Sequence, residues 1–267
     1  MLYLVSTPIG NIADITLRAI DTLRSCDLIL CEDTRRTSTL LHHYEIHTPL
    51  KSYEQFTEKT KAPWILQMLL EDKNIALVSD AGTPAVNDPG AFLVDLCHKN
   101  NILVESIPGA SSVIVAYSLL GTIKPFQFLG FFPKKTGEQN EFLEKIQRYD
   151  GVCIMFESPH RIKQTLQLLP QNSTVTLFRE LTKKFEEKIR GTPEEVLEAI
   201  LSKDILGEIV LAIEMQAPTQ QIDAAQHFAQ ALVKEHSLSI NTAAKIAADV
   251  YNVKKQDVYT FLIEKKL

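Results

Sequence analysis

Short apolar runs alternate with helix-like segments along the first 120 residues of the chain. The run Ile75–Val78 has no polar alternation, which is typical of a strand that is covered on both faces. The predicted strands are Leu2–Ser6, Leu28–Cys31, Leu50–Tyr53, Ile75–Ser79 and Leu103–Ile107, and the predicted helices are Thr16–Arg24, Thr37–His43, Thr57–Leu70, Ala91–His98 and Ser111–Leu120. This alternation predicts a parallel α/β sheet.

The pattern breaks at residues 121–125, and a mixed α/β pattern follows it. Its predicted segments are Phe126–Phe131, Glu138–Arg148, Val152–Phe156, Ile162–Leu169, Val175–Phe178, Phe185–Arg190, Glu194–Leu201 and Ile209–Ile213. Beyond Ala217–Pro218 the chain becomes rich in alanine and lysine. We therefore predict an N-terminal α/β domain at residues 1–120, a second α/β domain at 121–218 and a C-terminal helical extension at 219–267.

The stretch 241–259 combines a helix of small residues, a short turn and a second helix, a spacing that suits a helix-turn-helix. A plain helical hairpin packed on the body is the alternative. The whole chain carries a formal charge of -5, which argues against coating nucleic acid through bulk positive charge. From Lys234 onward, however, the sequence contains six lysines and four carboxylate side chains, so the basic excess lies at the C-terminus.

Composition indicates a cytoplasmic protein without a resident metal. The four cysteines form no C-x-x-C pair and the seven histidines are scattered, so we predict buried free thiols and no metal site. No apolar stretch approaches the ~18–20 residues of a membrane span. The short apolar run at the N-terminus also lacks the features of a signal segment.

Residues 79–90 form a long loop of small, hydroxyl, amide and carboxylate side chains directly after the predicted strand Ile75–Ser79. Open α/β sheets bind ligands at the carboxyl ends of their strands. Turn-forming residues also occur in loops without function, but this loop exceeds the usual ~2–6 residues of a βα connection. The length favours a ligand loop.

Three further polar segments follow predicted strands, at 6–11, 31–36 and 107–112. None carries the glycine spacing of a dinucleotide site or the lysine of a P-loop. In 31–36, Arg35 and Arg36 can grip a phosphate while Asp33 or Glu32 orients an acceptor hydroxyl. A helix cap with surface salt bridges is the alternative. In 107–112, small residues before a helix expose amides and hydroxyls to a polar ligand.

The second domain contributes two similar strand ends, 156–161 and 178–184. Each is an apolar strand that ends in a carboxylate followed by basic residues. Because the two strands alternate with other segments, we expect these ends to face the same side and form a rim. Two ordinary surface strand ends are the alternative.

In this order, the segments 5–11, 31–35, 77–84, 87–90, 156–161, 179–183 and 207–208 resemble the tetrapyrrole methylase superfamily. Within it, they resemble the small-subunit ribosomal RNA cytidine 2'-O-methyltransferases. The resemblance runs from residue 2 to about 265. Each motif alone is weak, but the ordered set is specific.

The resemblance implies a two-domain α/β enzyme of the class III methyltransferase fold with a C-terminal helical extension. It also implies a homodimer that holds S-adenosylmethionine between its domains. The wider superfamily has Gly-Asp-Pro in the ligand loop, whereas this chain has Gly82-Thr83-Pro84, a change typical of the ribosomal RNA branch. Because the change removes a carboxylate, the roles of Thr83 and Asp80 need testing. By position, the cofactor contacts are expected from Pro8, Ile9, Gly82, Thr83, Pro84, Val86, Ser111, Ser112, Phe156 and Ala212.

The expected reaction is methylation of a ribose 2'-hydroxyl in small-subunit (16S) ribosomal RNA or the 30S subunit. The candidates for base or orienting group are Asp33, Glu157, Glu180 and Lys183. The candidates for RNA contacts are Arg35, Arg36, Arg161, Lys245, Lys254 and Lys255. Two alternatives stay open: an enzyme of the same fold acting on a tetrapyrrole or other small acceptor, and a non-catalytic RNA-binding or ribosome assembly factor.

Overall fold

The first half of the computed structural model, which describes residues 1–216 and 219–265, is a sheet of five parallel strands. The strands are β1 (Leu2–Val5), β2 (Leu28–Cys31), β3 (Leu50–Ser52), β4 (Ile75–Leu77) and β5 (Val104–Ile107), in the order β3-β2-β4-β1-β5. The helices are α1 (Leu17–Ser25), α2 (Thr34–His43), α3 (Glu58–Leu70), α4 (Ala91–Lys99) and α5 (Ser112–Ser118). The predicted parallel α/β sheet is confirmed.

Several predicted boundaries differ from the observed ones, and two of them have clear local reasons. Helix α2 begins at Thr34 rather than Thr37, because the Asp33 carboxylate caps it by accepting from the backbone N–H of Arg35. Strand β4 ends at Leu77 rather than Ser79. There the backbone turns into the ligand loop, and the Ser79 hydroxyl lies 3.3 Å from the Gly82 carbonyl oxygen.

The second half is a mixed sheet in the order β6-β7-β10-β8-β9. Its strands are β6 (Phe126–Phe131), β7 (Val152–Glu157), β8 (Ser173–Arg179), β9 (Glu187–Gly191) and β10 (Ile209–Met215). Only the β6–β7 pair is parallel among these neighbours. Helices α6 (Thr136–Arg148), α7 (Ile162–Leu168) and α8 (Pro193–Leu201) cover one face with a core of aliphatic and aromatic side chains.

The other face of the second sheet packs against the first half of the chain. Val113 and Ala116 of α5 share a buried apolar cluster with Ile154 of β7 and Phe178 of β8, and Ile9 joins it from the β1–α1 loop. Helix α5 therefore packs the first half of the chain against the second sheet.

Three helices follow: α9 (Thr219–His236), α10 (Ile240–Tyr251) and α11 (Lys255–Glu264). Asn252 ends α10 in the left-handed conformation, with φ +50°. Alanines of α9 and α10 pack with Val258 and Leu262 of α11. The predicted boundary at residue 218 and the chain end at 266–267 lie outside the described residues, so the domain limits stay predictions. Helices α10 and α11 with the short connection between them cover the predicted stretch 241–259, and its RNA-binding role stays a prediction. Among the described helices, none is long and apolar enough to cross a membrane.

Candidate functional site

A cavity of about 350 Å³ lies where the carboxyl ends of β1, β4 and β5 face the second sheet. The first half lines it with loop residues, and the second half lines it mostly with apolar side chains. These residues include Ile9, Asp80, Gly82, Thr83, Val86, Asp88, Ser111 and Ser112 from the first half and Phe131, Phe156, Glu157, Leu181, Ile209 and Val210 from the second. The volume falls within the range of small-molecule sites, ~300–1,000 Å³.

The ligand loop is fastened to its neighbours by Thr83 and Gly82. The Thr83 hydroxyl lies 3.1 Å from the Ser6 hydroxyl at the end of β1 and 3.4 Å from the carbonyl oxygen of Ala110 before α5. Gly82 pairs with Thr7 through two backbone hydrogen bonds, and its φ of +83° suits glycine. Thr83 therefore joins three strand ends through bonds within the protein.

Asp80 connects the ligand loop to the β2–α2 loop. Its carboxylate accepts from the backbone N–H of Asp33 at 3.0 Å, and Arg36 Nε lies 3.6 Å from its other oxygen. Arg36 also reaches toward the second domain, where its Nη1 lies 3.9 Å from Glu208. The ion pair of Arg36 and Asp80 therefore lies in the cleft, between the ligand loop and the second domain.

Asp88 presents a partly buried carboxylate to the cavity. Burial, followed by the negative charge of Glu32, raises its pKa from 3.8 to about 6. Burial and the charge of Asp80 likewise raise the pKa of Glu32. This side of the cleft is therefore rich in negative potential.

The two predicted strand ends of the second domain do lie at one edge. Strands β7 and β8 both run antiparallel to β10, and Ile209 is paired with Glu157 on one side and with Arg179 on the other. Glu157 is buried, where it accepts from Thr165 Oγ1 and the Ser158 N–H and forms an ion pair with Arg161 at 2.6 Å.

Arg161 also donates to the carbonyl oxygens of Phe132 and Pro133, so its guanidinium is committed to the protein fold. The expectation of an RNA contact at Arg161 conflicts with this placement, because phosphate binding would remove the partner of a buried carboxylate. Glu157 lines the cavity, but as the partner of Arg161 and Thr165 it is a poor candidate for the base.

Glu180, Lys183 and Glu208 form an ion-pair cluster. Lys183 Nζ lies 2.8 Å from Glu180 and 3.2 Å from Glu208. Although burial opposes both shifts, these hydrogen bonds raise the pKa of Lys183, and the bonds from Lys183 and from the Glu208 N–H lower that of Glu180. Lys183 is therefore protonated here and orients carboxylates instead of acting as a base.

Seven of the ten expected cofactor residues line the cavity: Ile9, Gly82, Thr83, Val86, Ser111, Ser112 and Phe156. Pro8 lines a neighbouring cavity, and Pro84 is buried without lining either. Ala212 shares a sheet face with Val210, but it lies two residues further along β10, about 7 Å away. Val210 lines the cavity in its place, and Ala212 packs in the apolar cluster with Ile9.

Asp33 and Arg35 line neither cavity. The Asp33 carboxylate holds the Arg35 side chain through two hydrogen bonds, which lower the Asp33 pKa to about 2. Asp33 is therefore unsuitable as a general base and serves as the cap of α2.

In the C-terminal helices, Lys245 and Lys255 are exposed, whereas Lys254 lies 4.0 Å from Glu214 of β10.

Sequence reasoning assigned no role to several lining residues, among them Asp88, Phe131, Leu181, Glu208 and Ile209. Asp88 lies within the predicted ligand loop, and Glu208 lies in the motif 207–208 that carried the resemblance. Their positions in the sequence were therefore the only signal that could have identified them as lining residues. In the sequence, Phe131, Leu181 and Ile209 cannot be distinguished from ordinary apolar residues at the ends of strands. Their place at the cleft depends on how the sheets meet.

The cavity fits S-adenosylmethionine in size and in charge. Ile9, Phe156 and Val210 offer apolar contacts for a nucleoside, while Asp80 and Asp88 place negative charge where a cationic sulfonium and amine are favoured. Among the described residues, no cluster of histidine, cysteine and carboxylate side chains is arranged to hold a metal ion.

The two sheets and the cleft between them define a methylase fold. The family model for Tetrapyrrole (Corrin/Porphyrin) Methylases matches residues 1–197, and the chain belongs to that family. A uroporphyrin-III C-methyl transferase from Thermus thermophilus, complexed with S-adenosyl homocysteine, has a TM-score of 0.59 at 15% identity. The match covers 80% of this chain and 96% of that one, so the two proteins share the fold.

Sequence comparison narrows the family. Ribosomal RNA small subunit methyltransferase I of Bacillus subtilis (strain 168) is 40% identical, covering 97% of this chain and 92% of the relative. The protein of that name from Mycoplasmopsis pulmonis is 43% identical, covering 79% of this chain and 96% of the relative. Within the tetrapyrrole methylases, the chain therefore belongs to the family of ribosomal RNA small subunit methyltransferase I.

Proposed function

We propose that this protein transfers a methyl group from S-adenosylmethionine to the ribose 2'-hydroxyl of a cytidine in small-subunit (16S) ribosomal RNA. The observation that carries the proposal is 40% identity to a ribosomal RNA methyltransferase over 97% of the chain. The cavity of about 350 Å³ between the two sheets supports it, since seven of the expected cofactor residues line that cavity.

In this proposal the cofactor supplies a methyl group that its sulfonium already activates. Ile9, Phe156 and Val210 hold the nucleoside part, and Asp80 and Asp88 favour the positive charge. When bound, the cofactor would supply an electrophilic methyl group to the ribose oxygen and leave as S-adenosylhomocysteine, and the hydroxyl proton would pass to a base or to water. Holding the reactants in attack geometry can contribute roughly 7–11 kcal/mol. Most of the rate enhancement therefore comes from positioning.

Acid–base assistance adds about 10²–10⁴-fold at most. Of the four candidates, Asp33 and Glu157 have committed carboxylates. Glu180 stays as the candidate for the base, and protonated Lys183, which pairs with both Glu180 and Glu208, stays as an orienting group.

We further propose a cytoplasmic homodimer. Large apolar side chains are exposed in the ligand loop and around it: Val86 within the loop is 43% exposed, and Phe92 just after it is 37% exposed. Phe56, which is 96% exposed, lies two residues before Glu58, and the Glu58 carboxylate accepts a hydrogen bond from the Gly90 N–H at the end of the loop. Exposed apolar groups near one another mark association surfaces. Light scattering at micromolar concentration is expected to give twice the mass of one chain, and a monomer there contradicts the dimer.

The proposed reaction is tested by measuring methyl transfer from labelled S-adenosylmethionine to small ribosomal subunits. The subunits come from a strain that lacks the gene for this protein. We expect label in a 2'-O-methylated cytidine after nucleoside digestion. Label on a base, or none in RNA, contradicts the proposal. Transfer to a tetrapyrrole acceptor supports the small-acceptor alternative. Salt-sensitive RNA binding without cofactor binding in calorimetry supports an assembly factor.

A further inference from the structure

A second cavity of about 220 Å³ adjoins the cofactor cavity. It lies between the β1–α1 loop and helix α2, with Thr39 and Leu40 on one wall and Lys183 of the second domain on another. The two cavities share Ile9, Arg36, Asp80, Ala81 and Glu208. A molecule in the second cavity therefore lies directly beside one in the first.

Arg36 is held loosely in the wall between the cavities. Its distances of 3.6 Å to Asp80 and 3.9 Å to Glu208 exceed the ~2.7–2.9 Å of a strong charged hydrogen bond, and its side chain is 61% exposed. Exposed ion pairs of this kind contribute little to stability. An incoming anion can therefore replace these carboxylates at small cost.

The other two arginines expected to contact RNA are held differently. The Arg35 side chain donates two hydrogen bonds to Asp33, and Arg35 lines neither cavity. Arg161 is tied to Glu157. Of these three guanidiniums, Arg36 is the one placed at the cleft with replaceable partners.

Glu208 is shared by cations from both halves of the chain. Arg36 approaches it from α2 at 3.9 Å, and Lys183 approaches it from the second domain at 3.2 Å. Arg36 also pairs with Asp80 and Lys183 also pairs with Glu180, so a phosphate enters this cluster only by displacing a carboxylate. Glu208 is the carboxylate that both cations share, and a phosphate offers the guanidinium two oxygens in place of its single long contact to Glu208. The carboxylate thus occupies the place of a displaceable anion.

We infer that the second cavity is the acceptor site and takes a single flipped-out nucleotide, whose backbone phosphate replaces Glu208 as the partner of Arg36 and Lys183. The inference rests on the proposed RNA methylation. A volume of about 220 Å³ is too small for a tetrapyrrole macrocycle or a duplex, whereas a single flipped-out base and its ribose can enter with the phosphate at the rim. Arg36 is then a positioning residue that holds the ribose beside the cofactor.

Steady-state kinetics of Arg36→Gln with unmethylated small subunits test the inference. We expect KM for the subunit to rise about tenfold or more. The slope of log KM against log salt concentration is expected to fall by about one, because one phosphate contact is lost. Because cofactor contacts are mostly made by other residues, the dissociation constant for S-adenosylmethionine, measured by calorimetry, is expected to stay within about threefold. Retained cofactor binding also reports that the variant is folded.

Arg18→Gln is the matched control. Arg18 is exposed, pairs with Glu105 and lines neither cavity, so its loss removes one charge without touching the cleft. Its KM and salt dependence are expected to equal those of the wild type. An equal rise of KM in both variants means a general charge effect and overturns the inference.

Glu208→Gln supplies a second test with the opposite sign. Removing the competing carboxylate frees Arg36 and Lys183, so KM for the subunit is expected to fall about two- to fivefold. A rise in KM for this variant, or wild-type kinetics for Arg36→Gln, overturns the acceptor-site assignment. These results differ from failure of the proposed function, in which the wild type itself methylates no ribose in RNA.

Discussion

Asp88 shows how a single side chain in the ligand loop affects stability. Its pKa is raised from 3.8 in the unfolded chain to about 6 by burial and by Glu32, so the folded state prefers the protonated form. Its contribution to stability is complete below about pH 4, declines between pH 4 and 6, and is lost above pH 6. At about 1.4 kcal/mol per pKa unit, reduced for residual solvent contact, ionised Asp88 costs about 2 kcal/mol.

We therefore expect Asp88→Asn to be more stable than the wild type by about 1–2 kcal/mol at pH 7.5 and equally stable near pH 4, because asparagine resembles the protonated acid. Urea unfolding at the two pH values measures the difference. Asp95→Asn, which removes an exposed carboxylate paired with Lys99 on α4, is the control and is expected to show no such pH dependence. A stability gain that is equal at both pH values contradicts the assigned pKa.

At the scale of elements, the C-terminal helices form a unit with its own core. The cluster of Ala229, Ala247 and Leu262 is separate from the clusters of the two sheets, and Lys254 lies beside Glu214 and Lys124 of the second domain. These helices are therefore expected to assist RNA binding without building the cofactor site.

Deleting residues 217–267 is expected to leave cofactor affinity unchanged and to lower kcat/KM for small subunits by about tenfold or more, through lost phosphate contacts of the exposed lysines. Calorimetry with S-adenosylmethionine and methyl-transfer kinetics at two salt concentrations measure both effects. Replacing Lys245 and Lys255 by glutamine in the full chain is expected to reproduce part of the loss. Loss of cofactor binding in the shortened protein assigns the helices a structural role instead.

At the scale of the whole molecule, α5 joins the two sheets into one cooperative unit. Ala116 is fully buried between α5 and the second sheet, while Trp64 on α3, the single tryptophan of the chain, reports on the first sheet. A disturbance at Ala116 is therefore expected to be detected at Trp64.

Ala116→Leu is expected to lower the free energy of unfolding by about 1–3 kcal/mol, because extra methyl groups overfill a packed site. Trp64 fluorescence and far-UV circular dichroism are expected to shift together in urea. Ile114→Leu, at an exposed position of the same helix, is the control and is expected to leave stability unchanged. If the circular dichroism shifts and Trp64 fluorescence does not, the two halves unfold independently.

The sequence by itself determined the elements and the class of the protein. Apolar runs such as 75–79 predict buried strands because local burial patterns persist in the fold, and the ordered polar strand ends led to the methylase family. The same local logic placed the ligand loop, whereas the expected cofactor residues came from the family resemblance, and seven of the ten line the cavity. These features depend on neighbours in the chain or on one sheet edge.

Tertiary structure decided which of those polar groups are available. Sequence cannot tell that Arg161 and Asp33 have committed partners while Arg36 lies loosely between two cavities. It also cannot decide between Val210 and Ala212, which share one face of a strand. The reason is physical: side-chain partners, burial and pKa depend on how the two sheets meet, and those contacts join residues far apart in the chain.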